Sequence, residues 1–337
     1  MDIGLIATGG PPEIVERYVQ TAEAVGFASL WASEHVVFFE DYEPTYPYSD
    51  GGRPPMATDT AMVEPLNLLS FIAAKTRHVR LGTGVFLLPQ RNPVYTAKET
   101  STVDLLSGGR LDFGIGVGWL REEFEAVNVP FEERGARCDE YIEILKRLWT
   151  QDVAEYSGRF YQLAPCIQQP HPVQKPHPPI LIGGTSAPAI RRAALRGDGW
   201  VAINLSPEET AEKFASLKAQ RLAAGLSMDG FRSTLMAVNF PIEPKDLGRY
   251  RDVGIDQIVL PPMKGDRVLR SPDRDKLPAI LVLLTYWYLP AVRKASLYRL
   301  SARFLSQGEH WSSPLLFSRE PDGHWFTSTR RHVGSAK

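Results

Sequence analysis

The chain has 337 residues, 43% of them hydrophobic, and a formal net charge of −1. This length fits one barrel-sized domain with insertions better than several small domains. Residues 266–337 carry twelve Lys/Arg against six Asp/Glu. No recognisable nucleic-acid-recognition motif accompanies these basic residues, so the sequence argues against nucleic-acid binding.

Cysteine usage and hydropathy indicate a cytoplasmic protein. Only Cys138 and Cys166 are present, which excludes a disulfide framework and suits a reducing compartment. An apolar run starts at residue 3 with no basic segment before it, so no signal peptide is predicted. The longest apolar stretch, 277–292, is shorter than the roughly 20 residues that cross a bilayer and contains two prolines. We therefore expect no membrane span, and no zinc, iron or calcium motif is visible.

Short apolar, β-branched runs alternate with amphipathic stretches from the first residue to about residue 262. This alternation is typical of successive βαβ units and a parallel sheet. Eight strands are predicted, at 2–7, 27–33, 79–89, 110–118, 179–184, 199–204, 233–240 and 257–262. Eight parallel strands with helices between them close most simply as an α/β fold of the (β/α)8 TIM barrel type. A doubly wound open sheet is the alternative.

Two long excursions interrupt the repeat, one after strand two and one before strand five. Residues 34–60 are rich in Tyr, Pro, Asp and Gly. Residues 151–178 contain a predicted hairpin at 153–162 and then a proline-rich run. Loops after the strands form the active face of such barrels, so the first excursion is a candidate lid, with an inert surface loop as the alternative.

The candidate catalytic residues are Glu34 and His35, which follow the second strand and should stand at the mouth of the barrel. Histidine titrates near neutral pH and can donate or accept a proton beside a redox ring. Glu34 could orient the imidazole or contact a cofactor. A structural histidine and a helix-cap carboxylate are the plain alternatives.

The fourth predicted strand has Gly114, Gly116 and Gly118 at a period of two, and therefore on one face. The absence of three side chains lets something flat approach the backbone. Close packing of small residues inside the barrel is the alternative. The pattern is not the dinucleotide-binding fingerprint, which needs different spacing and an immediate helix.

The fifth predicted strand ends at Gly183 and Gly184, and Thr185 and Ser186 then precede a helix. Backbone N–H groups, the positive end of a helix dipole and hydroxyl donors together suit an anion such as a cofactor phosphate. A plain serine N-cap after a glycine turn is the alternative.

The third predicted strand contains Gly82 and Gly84 before Val85, and glycines inside a strand indicate a bulge or a strained peptide. Arg91 follows this strand and is available for an anionic group, with a solvated arginine as the alternative.

Several runs taken together resemble the bacterial luciferase-like monooxygenase family, and more narrowly its coenzyme F420-dependent branch. The resemblance rests on RLGTGVFLLPQRNP at 80–93, LLSGGRL at 105–111 and GIGVGWLREEF at 114–124. WASEH at 31–35, EERGAR at 132–137, PPILIGG at 178–184 and GDGW at 197–200 extend it. It covers about residues 1–262, and the combination is specific although each motif alone is not.

The resemblance implies a TIM-type barrel and a deazaflavin whose ring stacks on a non-prolyl cis peptide at Gly84-Val85. It also implies that His35 acts near the reactive carbon, that Glu34 neighbours the ring, and that Gly183, Gly184 and Thr185 receive the phosphate. We extend the predicted cofactor site to Gly116, Gly118 and Ser186. Some deazaflavin enzymes of this kind have an acid where Trp119 stands, so their sugar-phosphate dehydrogenase activity is not expected here.

These observations lead to one functional hypothesis with two alternatives. We expect hydride transfer between coenzyme F420 and a small apolar organic substrate, which enters between the 34–60 loop and a pocket wall formed by Trp119, with Arg91 nearby. An FMN-dependent two-component monooxygenase and a non-catalytic flavin-binding relative are the alternatives. A homodimer is expected through the resemblance alone.

The family pattern stops after residue 265. We predict a barrel over 1–265 and a divergent segment over 266–337, with a partial eighth helix at about 279–305 and then a disordered tail. This segment is either a divergent tail with a partner contact or a replaced C-terminus.

Overall fold

The structure is a computed structural model that describes residues 1–7, 9–54, 56–261, 316–319 and 325–328. The barrel belongs to a compact unit that spans residues 1–291. Its helices are α1 (Pro12–Val25), α2 (Pro65–Lys75), α3 (Pro93–Ser107), α4 (Arg121–Ala126), α5 (Arg134–Thr150), α6 (Ala187–Arg196), α7 (Pro207–Ala223) and α8 (Leu247–Val253). Its strands are β1 (Asp2–Ile6), β2 (Ser29–Ala32), β3 (Arg80–Thr83), β4 (Phe86–Leu87), β5 (Leu111–Gly116), β6 (Ala154–Ser157), β7 (Gln162–Cys166), β8 (Ile180–Gly183), β9 (Gly199–Ile203), β10 (Arg232–Met236) and β11 (Gln257–Leu260).

Eight of these strands form a closed parallel barrel. The order is β3-β2-β1-β11-β10-β9-β8-β5, and pairing of β3 with β5 closes the ring. Each of the eight falls within or next to a predicted strand, so the predicted (β/α)8 barrel is confirmed and the open sheet is wrong. Because the strands are parallel, the loops that follow them share one rim, and that rim carries the candidate site.

Local sequence signals start the helices of this repeat. The Asn92 side chain accepts from the Val94 N–H at 2.9 Å at the start of α3. Ser206 and Glu209 form a reciprocal capping box at the start of α7. Such caps satisfy N–H groups that have no partner within the helix. They explain why α3 and α7 each begin at a defined residue.

The barrel interior is filled around the indole of Trp31, which is fully buried. A Cβ atom on Gly82 would lie 2.5 Å from the Trp31 ring, so β3 needs glycine there. The Thr83 hydroxyl donates to the Gly114 carbonyl at 2.6 Å and ties β3 to β5 beside the ring. This packed core supports the rim from below.

The excursion before β8 contains the predicted hairpin, but shifted along the chain. β6 and β7 pair antiparallel over Ala154–Ser157 and Gln162–Cys166. The second strand therefore begins where the prediction ended. Two X-Pro peptide bonds in the proline-rich run that follows, at Pro170 and Pro176, are cis.

A second compact unit comprises residues 292–337. Within it β12 (Leu316–Arg319) and β13 (Trp325–Ser328) pair antiparallel, in a stretch where the sequence showed no strand period. The predicted partial helix at about 279–305 and the rest of the tail lie outside the described residues. Over the described part of the chain, no helix combines the length and apolar character that a membrane span requires.

Candidate active site

His35 stands just beyond the end of β2, at the rim. Its Nδ1 atom lies 3.3 Å from Oε2 of Glu123, and its side chain is 10% exposed. The Phe38 and Trp119 rings pack on the imidazole with centroid distances of 4.7 and 5.8 Å. His35 is therefore a mostly buried imidazole with a carboxylate on one side and an aromatic wall on the other.

Glu123, on α4, is the functional candidate that the sequence prediction missed. Its Oε1 accepts from the Val36 N–H at 2.6 Å, and its Oε2 accepts from Gln90 Nε2 at 3.2 Å. Burial alone raises the pKa of the Glu123 carboxyl, but the contacts with His35, Gln90 and Val36 outweigh it and lower the pKa overall. Glu123 is thus a buried carboxylate held in its charged form. The sequence carries no local signal that would have separated it from the neighbouring Glu122.

Glu34 points away from His35 into a separate ion pair. Its side chain is 1% exposed and pairs with Arg91, which also contacts Glu64 at 3.1 Å. The Leu87 N–H donates to the other Glu34 oxygen. The Arg91 guanidinium is therefore occupied by carboxylates of the protein, which corrects the expectation of an arginine available for an anionic group.

Protonation of this pair reflects its burial. Burial raises the pKa of the Glu34 carboxyl, and the Arg91 guanidinium and the Leu87 N–H offset only part of that rise. Burial by itself lowers the pKa of Arg91, but the Glu34 charge raises it overall. Burial therefore disfavours the charged form of the Glu34 carboxyl, and the Arg91 guanidinium beside it is what favours that form.

The floor of the rim is the segment between β3 and β4. The Gly84-Val85 peptide bond is cis, as the resemblance implied, and both residues are partly exposed. A Cβ on Gly116 or on Gly183 would lie 2.5 Å from the Val85 side chain. The space beside these two glycines is filled by Val85, which gives a packing reason for both, and their predicted contacts with a cofactor stay predictions.

Gly118 is likewise explained by the protein itself. Its φ is +79°, and an added Cβ would lie 2.7 Å from Phe124. The positive φ and the contact with α4 give a structural reason for glycine at this position, and the predicted ligand contact stays a prediction. Among the predicted cofactor residues, Gly116 and Gly184 are buried, Ser186 is exposed, and the others are partly exposed, namely Gly84, Val85, Gly118, Gly183 and Thr185.

The turn between β8 and α6 lies across the rim from His35. Gly184 has φ +117°, and its carbonyl accepts from the Trp200 indole at 2.8 Å. Thr185 is partly exposed and Ser186 is exposed. The Ser186 side chain accepts from the Ala189 N–H at 3.4 Å and so caps α6. This turn presents hydroxyls and the positive end of a helix toward solvent, where an anion can bind.

The 34–60 excursion covers part of the mouth, as expected of a lid. Tyr42 and Tyr46 pack edge-on against Trp119, with centroid distances of 5.9 and 5.3 Å. The Tyr48 side chain is hydrogen-bonded to Thr185, and burial raises the pKa of Tyr48 to about 12. The Asn239 side chain also donates to the Tyr48 carbonyl at 3.4 Å. The excursion therefore spans the mouth from β2 to the turn after β8.

The rim has two contrasting parts, which we name here. The carboxylate side comprises Glu34, His35, Arg91 and Glu123, and the turn side comprises Gly184, Thr185 and Ser186. Over the described residues, no group of three His, Cys, Asp or Glu side chains is arranged to hold a metal ion.

Comparison with known proteins gives the family. The sequence profile of the luciferase-like monooxygenase family matches residues 4–242, and the chain belongs to this family. The predicted family is thereby confirmed.

Individual relatives differ in the cofactor that their names state. An uncharacterized protein of Mycobacterium tuberculosis is 34% identical over 221 residues, 63% of this chain and 76% of its own length. The FMNH(2)-dependent dimethylsulfone monooxygenase of Pseudomonas putida is 38% identical over 116 residues, 34% of this chain and 32% of its own length. An F420-dependent secondary alcohol dehydrogenase, solved with an F420-acetone adduct, shares the fold with a TM-score of 0.68 at 15% identity. That likeness covers 87% of this chain and 99% of the dehydrogenase. Both flavin and deazaflavin enzymes thus occur among the neighbours.

Proposed function

We propose that the chain is a coenzyme F420-dependent oxidoreductase that transfers a hydride to or from a small apolar organic substrate. The observation that carries the proposal is the pairing, on one rim, of a buried His35-Glu123 contact with an exposed hydroxyl-bearing turn at Thr185 and Ser186. The first suits proton transfer beside a ring and the second suits its phosphate.

The residues present fit a phosphorylated tricyclic cofactor. On the turn side, a Cβ on Gly184 would approach Ala189 to 3.0 Å and Tyr48 to 3.6 Å, so glycine allows this narrow turn beside the partly exposed Thr185. On the floor, Val85 presents a partly exposed apolar surface over the barrel core. We propose that Val85 and Gly84 support the ring and that Thr185 and Ser186 hold the phosphate.

When bound, the deazaflavin supplies hydride chemistry at one ring carbon, and the protein supplies orientation and proton transfer. His35 accepts or donates the proton that balances the hydride. Phe38 and Trp119 exclude water from the imidazole. Glu34 and Arg91 fix the chain on either side of the site through their ion pair, in place of the direct cofactor and ligand contacts first expected of them.

The charged side chains at this mouth favour an uncharged substrate, because they are already paired with groups of the protein. The nearby guanidiniums are engaged, Arg91 with two carboxylates and Arg53 over the Tyr42 ring at 4.7 Å from its centroid. The exposed walls are aromatic, namely Trp119 and the tyrosines of the lid. We therefore propose an apolar compound, as the aromatic composition of the excursion first indicated.

A second candidate is an FMN-dependent two-component monooxygenase, which needs a reductase partner and oxygen. It is favoured by the 38% identity over 116 residues to an enzyme whose name states FMNH(2) dependence. The proposal also includes a cytoplasmic location, from the two free cysteines, and a homodimer, from the resemblance alone.

Titrations with F420 and FMN, followed by fluorescence, test the cofactor. We expect F420 to bind at least tenfold more tightly. Oxidation of each reduced cofactor with and without oxygen then separates the reactions, since hydride transfer to an organic acceptor does not need oxygen. Tighter FMN binding with oxygen-dependent turnover would support the second candidate, and cofactor binding with no turnover of any substrate tried would support a non-catalytic relative.

Removal of the imidazole tests the role of His35. For His35→Ala we expect turnover to fall by about 10²–10⁴-fold, the usual contribution of a general acid or base, with cofactor affinity unchanged. His78→Ala is the matched control, because His78 is exposed and lies before β3 at the opposite end of the barrel. Full turnover in His35→Ala would show that another group transfers the proton.

A further inference from the structure

We propose that Glu123 is a positioning residue that acts through His35: it holds the Nδ1–H of the neutral imidazole and leaves Nε2 as the atom that exchanges protons with the substrate. This inference rests on the proposed function for its role in turnover. The orientation of the imidazole itself is independent of that function and can be measured without cofactor.

The Glu123 carboxylate is fixed before it meets the imidazole. Oε1 is held by the Val36 N–H at 2.6 Å, and Oε2 by Gln90 Nε2 at 3.2 Å. Val36 is the residue directly after His35, so one carboxylate contacts both the backbone and the side chain of the same short segment. A group held at both oxygens cannot rotate away, and its position fixes that of the ring.

The contact also selects one tautomer. Nδ1 is buried, makes no hydrogen bond of good geometry in the structure, and lies 3.3 Å from Oε2 of Glu123, an ion-pair distance. An ionised carboxylate only accepts hydrogen bonds, so the favourable arrangement places the single ring proton of neutral histidine on Nδ1. Nε2 then carries a lone pair. A hydrogen-bond partner on one ring nitrogen sets the protonation of the other in this way in many histidine sites.

The proton step balances within this arrangement. When substrate is oxidised, its O–H or N–H proton moves to the lone pair of Nε2, and the electrons of that bond form the C=O or C=N bond as the neighbouring C–H bond breaks. The deazaflavin, if bound, would accept the hydrogen of that C–H bond as a hydride. His35 then carries both ring protons and a positive charge, which the buried Glu123 carboxylate stabilises because it stays ionised. In the reverse direction Nε2 returns the proton.

Other groups near the imidazole do not compete for this role. The Glu34-Arg91 pair is directed into its own contacts on the other side of the segment. Phe38 and Trp119 touch the imidazole but do not titrate. Burial raises the pKa of Tyr46, which packs on Trp119, so it stays neutral. Among the described residues, the ionised group in contact with the His35 ring is Glu123.

The test is histidine ¹⁵N NMR on the full chain without cofactor, with His35 assigned by the missing signal in His35→Ala. In the native protein we expect the Nδ1–H tautomer at high pH. For Glu123→Gln we expect the ring to switch toward the Nε2–H tautomer, because the amide oxygen takes the place of Oε1 at the Val36 N–H and the NH2 group then faces Nδ1. Glu123→Asp should retain part of the Nδ1–H tautomer, and Glu125→Gln, an exposed position on the same helix, should leave the tautomer unchanged.

Turnover is measured on the same variants. In Glu123→Gln, kcat should fall with the population of the Nδ1–H tautomer while cofactor affinity stays unchanged, a split that general destabilisation would not produce. An Nε2–H tautomer in the native protein, or an unchanged tautomer in Glu123→Gln, would overturn the inference. The tautomer of the native protein needs no variant, so the inference is testable even if Glu123→Gln does not fold. If the tautomer switches while His35→Ala keeps full turnover, the orientation stands and the proposed function of His35 fails.

Discussion

The carboxylate side and the turn side of the rim satisfy their polar groups in opposite ways. On the carboxylate side, Glu34 and Glu123 are buried and both oxygens of each contact protein donors. On the turn side, Ser186 is exposed and the first turn of α6 has N–H groups without partners inside the helix. The first part is satisfied by protein contacts alone, and the second leaves polar groups open to solvent.

This difference separates two tasks that a cofactor enzyme must combine. A chemical group must be held in one geometry, which a buried network achieves because each contact restricts the next. A binding turn must stay open until the ligand arrives. Val85 lies between the two parts, over Gly116 and Gly183. Three substitutions test this division, each in a different part of the rim.

The largest effect is expected on the carboxylate side, from Arg91→Met. The change keeps an unbranched apolar side chain but removes the guanidinium that lies over the Phe86 ring and leaves Glu34 buried without its partner. We expect the free energy of unfolding at pH 7 to fall by about 3–5 kcal/mol, the usual result of breaking a buried ion pair from one side. Urea unfolding measures it.

The pH dependence identifies the cause. The folded-state pKa of Glu34 is already raised by burial, and loss of Arg91 raises it further. A carboxyl with a raised folded-state pKa contributes stability below its unfolded pKa and loses it as the pH rises through the folded value. The deficit of Arg91→Met should therefore shrink as the pH falls from 7 toward 4.5. Adding Glu34→Gln to Arg91→Met should restore most of the lost free energy of unfolding at pH 7. If it restores none, lost packing is responsible for the deficit.

A smaller effect is expected at the floor, from Gly116→Ala. The new Cβ would lie 2.5 Å from Val85 Cγ2, and overpacking of this kind costs about 1–3 kcal/mol. Val85→Ala in the same chain should relieve it. Gly248→Ala is the control, since that helical glycine has open space around it and alanine there should stabilise α8 slightly. If Gly116→Ala were neutral for stability but weakened cofactor binding, the space would belong to the ligand after all.

The barrel could be predicted from sequence because its signals are local and repeat. The alternation of apolar runs with amphipathic stretches marked all eight strands, and Ser206 and Asn92 mark helix starts through their own side chains. β6 and β7 were misplaced because turn and register in an irregular, proline-rich excursion depend on contacts with the rest of the fold. An example is the Glu140 side chain, which accepts from the Arg159 N–H at 2.6 Å.

The candidate site was predicted less completely, because its key relations are between distant residues. His35 was identified by its position after β2, but its partner Glu123 is 88 positions later in the sequence. Nothing local distinguishes Glu123 from Glu122 beside it. Arg91 was assigned to a ligand because a sequence does not reveal that two glutamates already bind it. Gly116 suggested room for a ligand for the same reason, since the Val85 side chain beside it belongs to the segment between β3 and β4.

The smallest effect on stability is expected on the turn side, from Ser186→Ala. The side chain caps α6 through a long 3.4 Å contact, so its loss should cost at most about 1 kcal/mol of stability. If the exposed hydroxyl also binds phosphate, cofactor affinity should fall about tenfold or more, as expected when a hydrogen bond to a charged group is removed.

Ser206→Ala separates the two roles, because Ser206 caps α7 through a capping box and has no place in the proposed phosphate site. It should lose stability to a similar or greater degree while cofactor affinity stays unchanged. If Ser186→Ala and Ser206→Ala both bound the cofactor as tightly as the native protein, the turn side would be only a helix cap. The contrast between the two parts of the rim would then have no functional meaning.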